Sequence, residues 1–142
     1  GAEKHPSVQI SKHRMDVTFT EISETIALSA MYAANHLEGI KAIITLTESG
    51  YTAKLMSRIT SPQPIFALSR HTKTLNKMAL YRGVYPAFFD STALDGQSLA
   101  DAAIEAIKTK AGLKSGDLVI MTHGDVMETI GASNTCKIVQ VK

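Results

Sequence analysis

Residues 42–59, AIITLTESGYTAKLMSRI, predict an apolar strand, a turn rich in hydroxyl groups and the start of a helix. The apolar and β-branched residues at 42–46 run together without polar alternation, a pattern typical of a strand buried on both faces. Gly50 interrupts the polar stretch that follows, and from Ala53 onward the apolar residues recur at helical spacing. We therefore expect a central strand of a layered α/β fold, followed at once by a helix.

The turn between this strand and its helix places three hydroxyl side chains, Thr47, Ser49 and Thr52, around Gly50. The first turn of a helix has unpaired N–H groups and a partial positive charge, so hydroxyl groups gathered there suit a phosphate. The turn has neither the Gly-Lys-Ser/Thr run of a Walker A loop nor the glycines of a nucleophile elbow. Ser49 is equally explained as a helix N-cap without any ligand, and the local pattern leaves both interpretations open.

Length and composition indicate one soluble domain, because 142 residues with 44 % hydrophobic side chains suffice to bury a core. The basic residues are scattered, which argues against nucleic-acid binding, and the apolar runs are too short to span a membrane. A single cysteine, Cys136, and no secretion signal favour a cytoplasmic location. The mixed polar residues 1–19 predict an arm or interdomain linker that precedes a domain at residues 20–142.

Strand and helix patterns alternate through the rest of the chain. Further strands are predicted at 65–68, 84–89 and 118–121, and Pro86 suggests that the second of these lies at a sheet edge or has an interrupted hydrogen-bond ladder. The last strand, at 135–141, follows a loop rather than a helix and is therefore expected to be antiparallel. The fold class that follows is a three-layer α/β/α sandwich whose five-stranded sheet is mostly parallel, with an antiparallel last strand.

Helix starts are predicted from capping residues. Thr20 or Ser23 is expected to cap the first helix, Thr72 the third, and Ser98 with Asp101 is expected to form a capping box for the fourth. Ligands bind beyond the carboxyl ends of strands in open parallel sheets. The loops at 47–52, 69–71 and 123–133 all follow strand ends, so we expect them to converge on one edge of the sheet.

The sequence contains no convincing catalytic constellation. Asp125 and Glu128 are three residues apart in a glycine-containing loop, where a solvated pair is far more common than an acid/base dyad. His71 and His123 follow strands and are accessory candidates for a phosphate contact, although exposed loop histidines usually have no such role. No metal site is predicted. A small α/β phosphatase or transferase stays open as an alternative, to be tested by replacing Asp125, Glu128 or His123.

Several short motifs resemble, in order and spacing, the C-terminal domain of pyruvate kinase. They are LTESGYTA at 46–53, SR at 69–70, LYRGV at 80–84, GDLV at 116–119 and NT at 134–135. The resemblance covers essentially the whole chain. GAEK at the start and MYAANH at 31–36 look most like bacterial members of the type activated by AMP and sugar monophosphates.

The resemblance implies an allosteric, non-catalytic domain of an enzyme that converts phosphoenolpyruvate and ADP to pyruvate and ATP. In the family a separate barrel domain holds the substrates with Mg²⁺ and K⁺, so no cofactor is expected in this chain. The family's effector phosphate loop falls on Thr47, Glu48, Ser49, Gly50, Tyr51 and Thr52. Its mobile effector loop falls on Gly124, Asp125, Gly131, Ala132 and Ser133, and the accessory candidates are Arg70, His71 and His123.

The class of effector is narrowed by Glu48. Family members that respond to fructose 1,6-bisphosphate often carry lysine in this turn, whereas the Glu48 carboxylate would repel a second anionic group. The start of the fourth helix offers Asp101 and no basic residue for a second phosphate. Ribose 5-phosphate or AMP is therefore expected in preference to the bisphosphate.

The resemblance also implies self-assembly, because family members are tetramers whose C-terminal domains meet across a two-fold axis. The segments used there correspond to residues 23–37 and 135–141, and the alanine-rich first helix suits close packing. We expect this chain to form a homodimer, as part of a tetramer in the longer enzyme. The rival interpretation is a free-standing phosphate-binding module that never joins a barrel.

Overall fold

The structure, a computed structural model, describes residues 21–124 and 133–142, so the predicted arm at 1–19 lies outside the described residues. Nine elements follow one another along this part of the chain. They are α1 (Ile22–His36), β1 (Ile40–Leu46), α2 (Tyr51–Ser57), β2 (Ile65–Ser69), α3 (Thr72–Met78), β3 (Val84–Phe88), α4 (Gly96–Ala111), β4 (Leu118–His123) and β5 (Thr135–Gln140).

The five strands form one sheet in the order β3-β2-β1-β4-β5, with β1 at its centre. Strands β3, β2, β1 and β4 are parallel, and β5 is antiparallel to β4. Pro86 lies in the edge strand β3, which pairs with β2 on one side only, so the missing N–H of the proline does not interrupt hydrogen bonding to a second neighbouring strand. The predicted fold class, the central first strand and the antiparallel last strand are all confirmed.

The core has two sides, and β1 contributes to both. Ile43 packs into a cluster with α1, α2 and α3, whereas Ile44 packs into a second cluster with α4 on the opposite face of the sheet. Both side chains are 0 % exposed, which explains why this strand shows no polar alternation. Three helices therefore cover one face and α4 covers the other, as a three-layer sandwich requires.

Three predicted helix starts are wrong by one to three residues. Glu21, His71 and Asp95 occupy the N-cap positions of α1, α3 and α4. Thr72 is the first residue of its helix, and Ser23 lies inside α1, where its side chain is 4 % exposed. The capping box of α4 pairs Asp95 with Ser98 at its third position, rather than Ser98 with Asp101.

The direction of chain winding reverses beside β1. Strands β2 and β3 are added on one side of β1 by way of α2 and α3, and then α4 crosses the opposite face so that β4 is added on the other side. Such a reversal separates the connections that leave the carboxyl ends of the two central strands and opens a crevice between them. In this chain the crevice lies between the ends of β1 and β4.

Candidate functional site

The candidate site lies beyond the carboxyl ends of β1 and β4. Thr45 and Thr122 are paired in the sheet register, and the Thr122 hydroxyl donates to Thr45 Oγ1 at 2.9 Å. Thr47 begins the hydroxyl turn two residues after Thr45, and its backbone N–H donates to the Leu68 carbonyl of β2 at 3.0 Å. The turn is therefore fixed to strands on both sides at the point where winding reverses.

The turn's own hydroxyl groups stabilise its backbone. Thr47 Oγ1 accepts a hydrogen bond from the Gly50 N–H at 2.8 Å, and Ser49 Oγ accepts one from the Tyr51 N–H at 3.2 Å. Gly50 is the N-cap of α2 and has a left-handed backbone with φ of 84°. The simple prediction that Ser49 is the N-cap is therefore wrong, although its hydroxyl does satisfy a backbone N–H of the first turn.

Several hydrogen-bond donors of the turn have no acceptor among the described residues. A hydroxyl group that accepts a hydrogen bond keeps its own proton to donate, which applies to Thr47 and Ser49. The first helix N–H bonded to a backbone carbonyl is that of Lys54, which donates to Gly50 at 3.0 Å. The N–H groups of Thr52 and Ala53 precede it and have no acceptor within residues 21–124 and 133–142. As far as the described residues go, two hydroxyl and two amide protons are thus available to an anion.

The Thr52 side chain, by contrast, has an internal partner. It is 1 % exposed, and its hydroxyl donates to Ser133 Oγ at 2.8 Å. Ser133 is itself buried, and its carbonyl accepts a hydrogen bond from the Ser23 hydroxyl at 3.5 Å. Thr52 therefore ties the hydroxyl turn to Ser133, two residues before β5.

Glu48 is the charged residue of the turn, and neighbouring residues contact both its carboxylate and its backbone carbonyl. Its side chain is 9 % exposed and contacts His71 Nε2, and one of its carboxylate oxygens lies 3.7 Å from Arg70 Nε. The Thr74 hydroxyl donates to the Glu48 backbone carbonyl at 2.7 Å. Arg70 and His71 follow β2, so the predicted convergence of the 47–52 and 69–71 loops is confirmed.

Tyr51 links the turn to the beginning of α1. Its hydroxyl donates to the Glu21 carboxylate at 2.9 Å to Oε1 and 3.1 Å to Oε2. The hydrogen bond to Glu21, burial and the negative charge of Glu21 raise the pKa of Tyr51 above its ordinary value of about 10. The phenol is therefore a neutral donor throughout the physiological pH range.

This pKa shift predicts a loss of stability at alkaline pH. Because the folded-state pKa of Tyr51 is raised, the contribution is complete below the unfolded-state pKa of about 10 and is lost as the pH rises through the higher folded value. Tyr51→Phe should lower the free energy of unfolding by about 1 kcal/mol or less at pH 8, since the contact is partly exposed. The substitution should also reduce the loss of unfolding free energy between pH 9 and pH 11. Urea unfolding at a series of pH values measures both effects.

The matched control for this measurement is Tyr85→Phe on the edge strand. Tyr85 is 56 % exposed, and its ring packs against Phe66 with centroids 5.6 Å apart. The alkaline loss of stability should be the same in this variant as in the original chain. An identical pH profile for both variants would show that the hydroxyl of Tyr51 has no special role.

His123 ends β4 beside the turn and is buried, with 8 % of its surface exposed. Its Nδ1 lies 3.1 Å from the carbonyl oxygen of Gly124, which is also buried. Its Nε2 is buried and has no hydrogen-bond partner among the described residues. The description of His123 as an exposed loop histidine is therefore wrong, because the strand extends to include it.

Other predicted site residues fall outside the described ranges. They are Asp125, Gly131 and Ala132 of the predicted effector loop, together with Glu128. Two residues at the site were absent from the sequence prediction, namely Glu21 and Thr74. Glu21 reaches the turn from the N-cap of α1 and Thr74 from within α3, and no local sequence pattern marks either as a site residue.

In the described parts of the chain no group of His, Cys, Asp and Glu side chains is arranged to hold a metal ion. No helix within the same ranges is long and apolar enough to cross a membrane.

Comparisons with known proteins agree on one family. Residues 24–139 match the family described as "Pyruvate kinase, alpha/beta domain". The chain is 59 % identical over 142 residues to pyruvate kinase II of Salmonella typhimurium, which covers all of this chain and 29 % of that protein. It is 58 % identical to a pyruvate kinase of Buchnera aphidicola, in an alignment that covers 99 % of this chain and 29 % of that protein. It is 32 % identical to pyruvate kinase 2 of Saccharomyces cerevisiae, in an alignment that covers 84 % of this chain and 24 % of that protein. The chain thus spans less than a third of the length of these curated relatives.

Proposed function

Because the chain belongs to the pyruvate kinase family, as its C-terminal α/β domain, we propose that it binds a phosphorylated effector and assembles subunits rather than catalysing a reaction. The phosphate of the effector is held by the turn at residues 47–52. In the longer enzyme this domain would regulate the conversion of phosphoenolpyruvate and ADP to pyruvate and ATP in the cytoplasm. Mg²⁺ and K⁺ belong, in this proposal, to a barrel domain that the chain does not include.

The observation that carries the proposal is the set of free donors at the winding reversal. The hydroxyl groups of Thr47 and Ser49 and the N–H groups of Thr52 and Ala53 lie within one turn, and each has a proton that no described protein acceptor takes. Hydroxyl and amide donors at the start of a helix are well suited to phosphate oxygens. A turn that served only as a helix cap would not need to lie at the crevice where α/β proteins bind ligands.

Glu48 supports a monophosphate over a bisphosphate. Its carboxylate contacts His71 and lies 3.7 Å from Arg70 Nε, so the Arg70 guanidinium already has an internal anion beside it. A second phosphate near this carboxylate would meet its negative charge at short range. Ribose 5-phosphate or AMP is therefore proposed as the effector class, in preference to fructose 1,6-bisphosphate.

Thermal unfolding of this chain with each candidate ligand tests the proposal. A ligand at about one hundred times its Kd adds roughly 2.7 kcal/mol to the free energy of unfolding, which is a readily measured shift in Tm. Ribose 5-phosphate or AMP should raise Tm, and Ser49→Asp should abolish the rise by placing a carboxylate against the phosphate. Ser115→Asp, in an exposed turn at the opposite edge of the sheet, is the control and should leave the rise intact.

Two results would contradict the proposal. A Tm shift that survives Ser49→Asp would mean that the ligand binds elsewhere. Tight binding of fructose 1,6-bisphosphate would contradict the preference for a monophosphate.

Assembly is proposed to use α1 and β5. The outward side of α1 exposes Ile22, Tyr32 and Leu37, of which Ile22 is 68 % exposed. On β5, Cys136 packs with the cluster that includes α1, and Ile138 lies two residues further along, on the same face, and is 51 % exposed. These exposed apolar side chains of the two elements form the proposed contact surface. A homodimer across this surface is the proposed unit of the tetrameric enzyme.

A further inference from the structure

His123 lies immediately beside the phosphate turn. Thr45 pairs with Thr122 in the parallel register, so Leu46 and His123 are neighbours one residue further on, at the ends of β1 and β4. Met121 packs with Leu46 in the cluster beneath α4, and strand alternation places His123 on that same face of the sheet. A ligand whose phosphate is held by the turn, and which extends toward α4, therefore passes over this histidine.

The hydrogen bond at Nδ1 decides what Nε2 can bind. The Gly124 carbonyl only accepts hydrogen bonds, so the nitrogen 3.1 Å from it, Nδ1, carries the proton. In the neutral ring Nε2 then has a lone pair and is an acceptor. This acceptor is buried and has no donor in the described part of the chain. Buried polar atoms without a partner are uncommon and call for an explanation.

We propose that His123 Nε2 accepts a hydrogen bond from a hydroxyl or amino group of the effector whose phosphate occupies the turn. The inference rests on the proposed function, because it needs a ligand at that turn. It differs from the expectation that His123 contacts the phosphate, since a phosphate dianion has only acceptor oxygens. The ligand class is therefore a monophosphate that also carries a hydrogen-bond donor, such as a sugar phosphate or a nucleotide.

A buried acceptor gives strong discrimination. A site built to receive a hydroxyl group rejects an analogue that lacks it, because the acceptor is then left without a partner in a place that water does not reach. The ligand must displace the protein atoms that now shield Nε2. Ribose 5-phosphate meets that cost both in the original chain and in a variant that keeps a planar ring at position 123, so comparing its affinity for the two proteins isolates the hydrogen bond.

Isothermal titration of the chain with two probes tests the proposal. Ribose 5-phosphate carries hydroxyl donors, and methyl phosphate, as a dianion, carries the phosphate without any. His123→Phe removes the acceptor and keeps a planar ring, so the affinity for ribose 5-phosphate should fall about 10- to 100-fold while that for methyl phosphate stays the same. His123→Gln places an amide oxygen near the position of Nε2 and should restore part of the affinity.

The ring nitrogens provide a second readout that a purely structural role would not move. Long-range ¹⁵N–¹H spectra should show His123 with its proton on Nδ1, and addition of ribose 5-phosphate should shift the Nε2 resonance as its lone pair becomes hydrogen-bonded. Methyl phosphate should leave that resonance in place. A proton on Nε2 in the free chain would overturn the proposal.

The remaining outcomes separate this inference from the proposed function. Equal losses of affinity for both probes in His123→Phe, or no loss for either, would overturn the role of His123 while leaving the phosphate turn intact. Failure of the unsubstituted chain to bind either probe would overturn both. Both proposals would be supported if the original chain binds both probes, Ser49→Asp abolishes that binding, and His123→Phe weakens the binding of ribose 5-phosphate alone.

Discussion

Replacing Gly50 by alanine should lower the free energy of unfolding by about 2–4 kcal/mol, the sum of two separate costs. The first is backbone strain, since a φ of 84° lies in the left-handed region that side chains disfavour. The second is crowding, because an added Cβ would lie 3.0 Å from Met78 Cγ and 3.5 Å from Thr74 Cγ2. Met78 is 0 % exposed, so its side chain has little room to move away.

Thermal unfolding measures this effect, and the expected loss in Tm is roughly 3 °C per kcal/mol for a domain of this size. Gly83→Ala is the matched control, because Gly83 has a similar φ of 73° but no heavy atom within 4 Å of the added Cβ. It should show the strain alone, about 1–2 kcal/mol. Equal losses at the two positions would mean that Met78 does not confine the turn at residues 47–52.

Tyr32→Asp should raise the dissociation constant of the homodimer by about 100-fold or more, if α1 forms the proposed interface. Tyr32 is 45 % exposed and stacks on His36 with ring centroids 4.1 Å apart, so the pair presents a rigid aromatic surface. Aromatic residues of this kind are frequent energetic centres of interfaces, where their removal often costs 2 kcal/mol or more. An aspartate would also bury a charge without a partner.

Sedimentation equilibrium over a range of protein concentrations gives the dissociation constants. Tyr85→Asp, on the edge strand β3 remote from α1, controls for the introduction of an exposed charge and should leave the constant unchanged. Thermal unfolding of both variants shows whether the fold is intact. A chain that remains monomeric at high concentration before any substitution would refute the dimer itself.

Much of the fold could be predicted because its signals are local. The runs at 42–46 and 118–121, which lack polar alternation, identify strands buried on both faces, and these became β1 at the centre of the sheet and β4 beside it. The last strand follows a loop rather than a helix, and this indicated that it is antiparallel. Helix starts were less accurate, since Glu21 and His71 act as N-caps although serine or threonine stands nearby, and Asp95, itself a favoured N-cap, starts α4 three residues before Ser98. Capping contributes about 1 kcal/mol, and tertiary packing overrides such a preference easily.

The candidate site was predicted in outline and corrected in detail. The turn at residues 47–52 and the strand ends that surround it follow from the rule that parallel sheets bind ligands beyond their carboxyl edge. Local spacing did not reveal that the Thr52 hydroxyl is bound to Ser133, 81 residues away. Nor did it reveal that Arg70 and His71 contact the carboxylate of Glu48.

The sequence by itself determined the layered α/β architecture, the central strand and the position of the hydroxyl turn, because each depends on the periodicity or chemistry of neighbouring residues. Only the tertiary structure decided which polar groups of that turn are already bound and which remain free. Sheet register brings Thr122 beside Thr45 and His123 beside the turn, while helix packing brings Glu21 to the Tyr51 hydroxyl. Such pairings join residues far apart in the chain, and hydrogen-bond geometry of that kind exists only after the layers have packed.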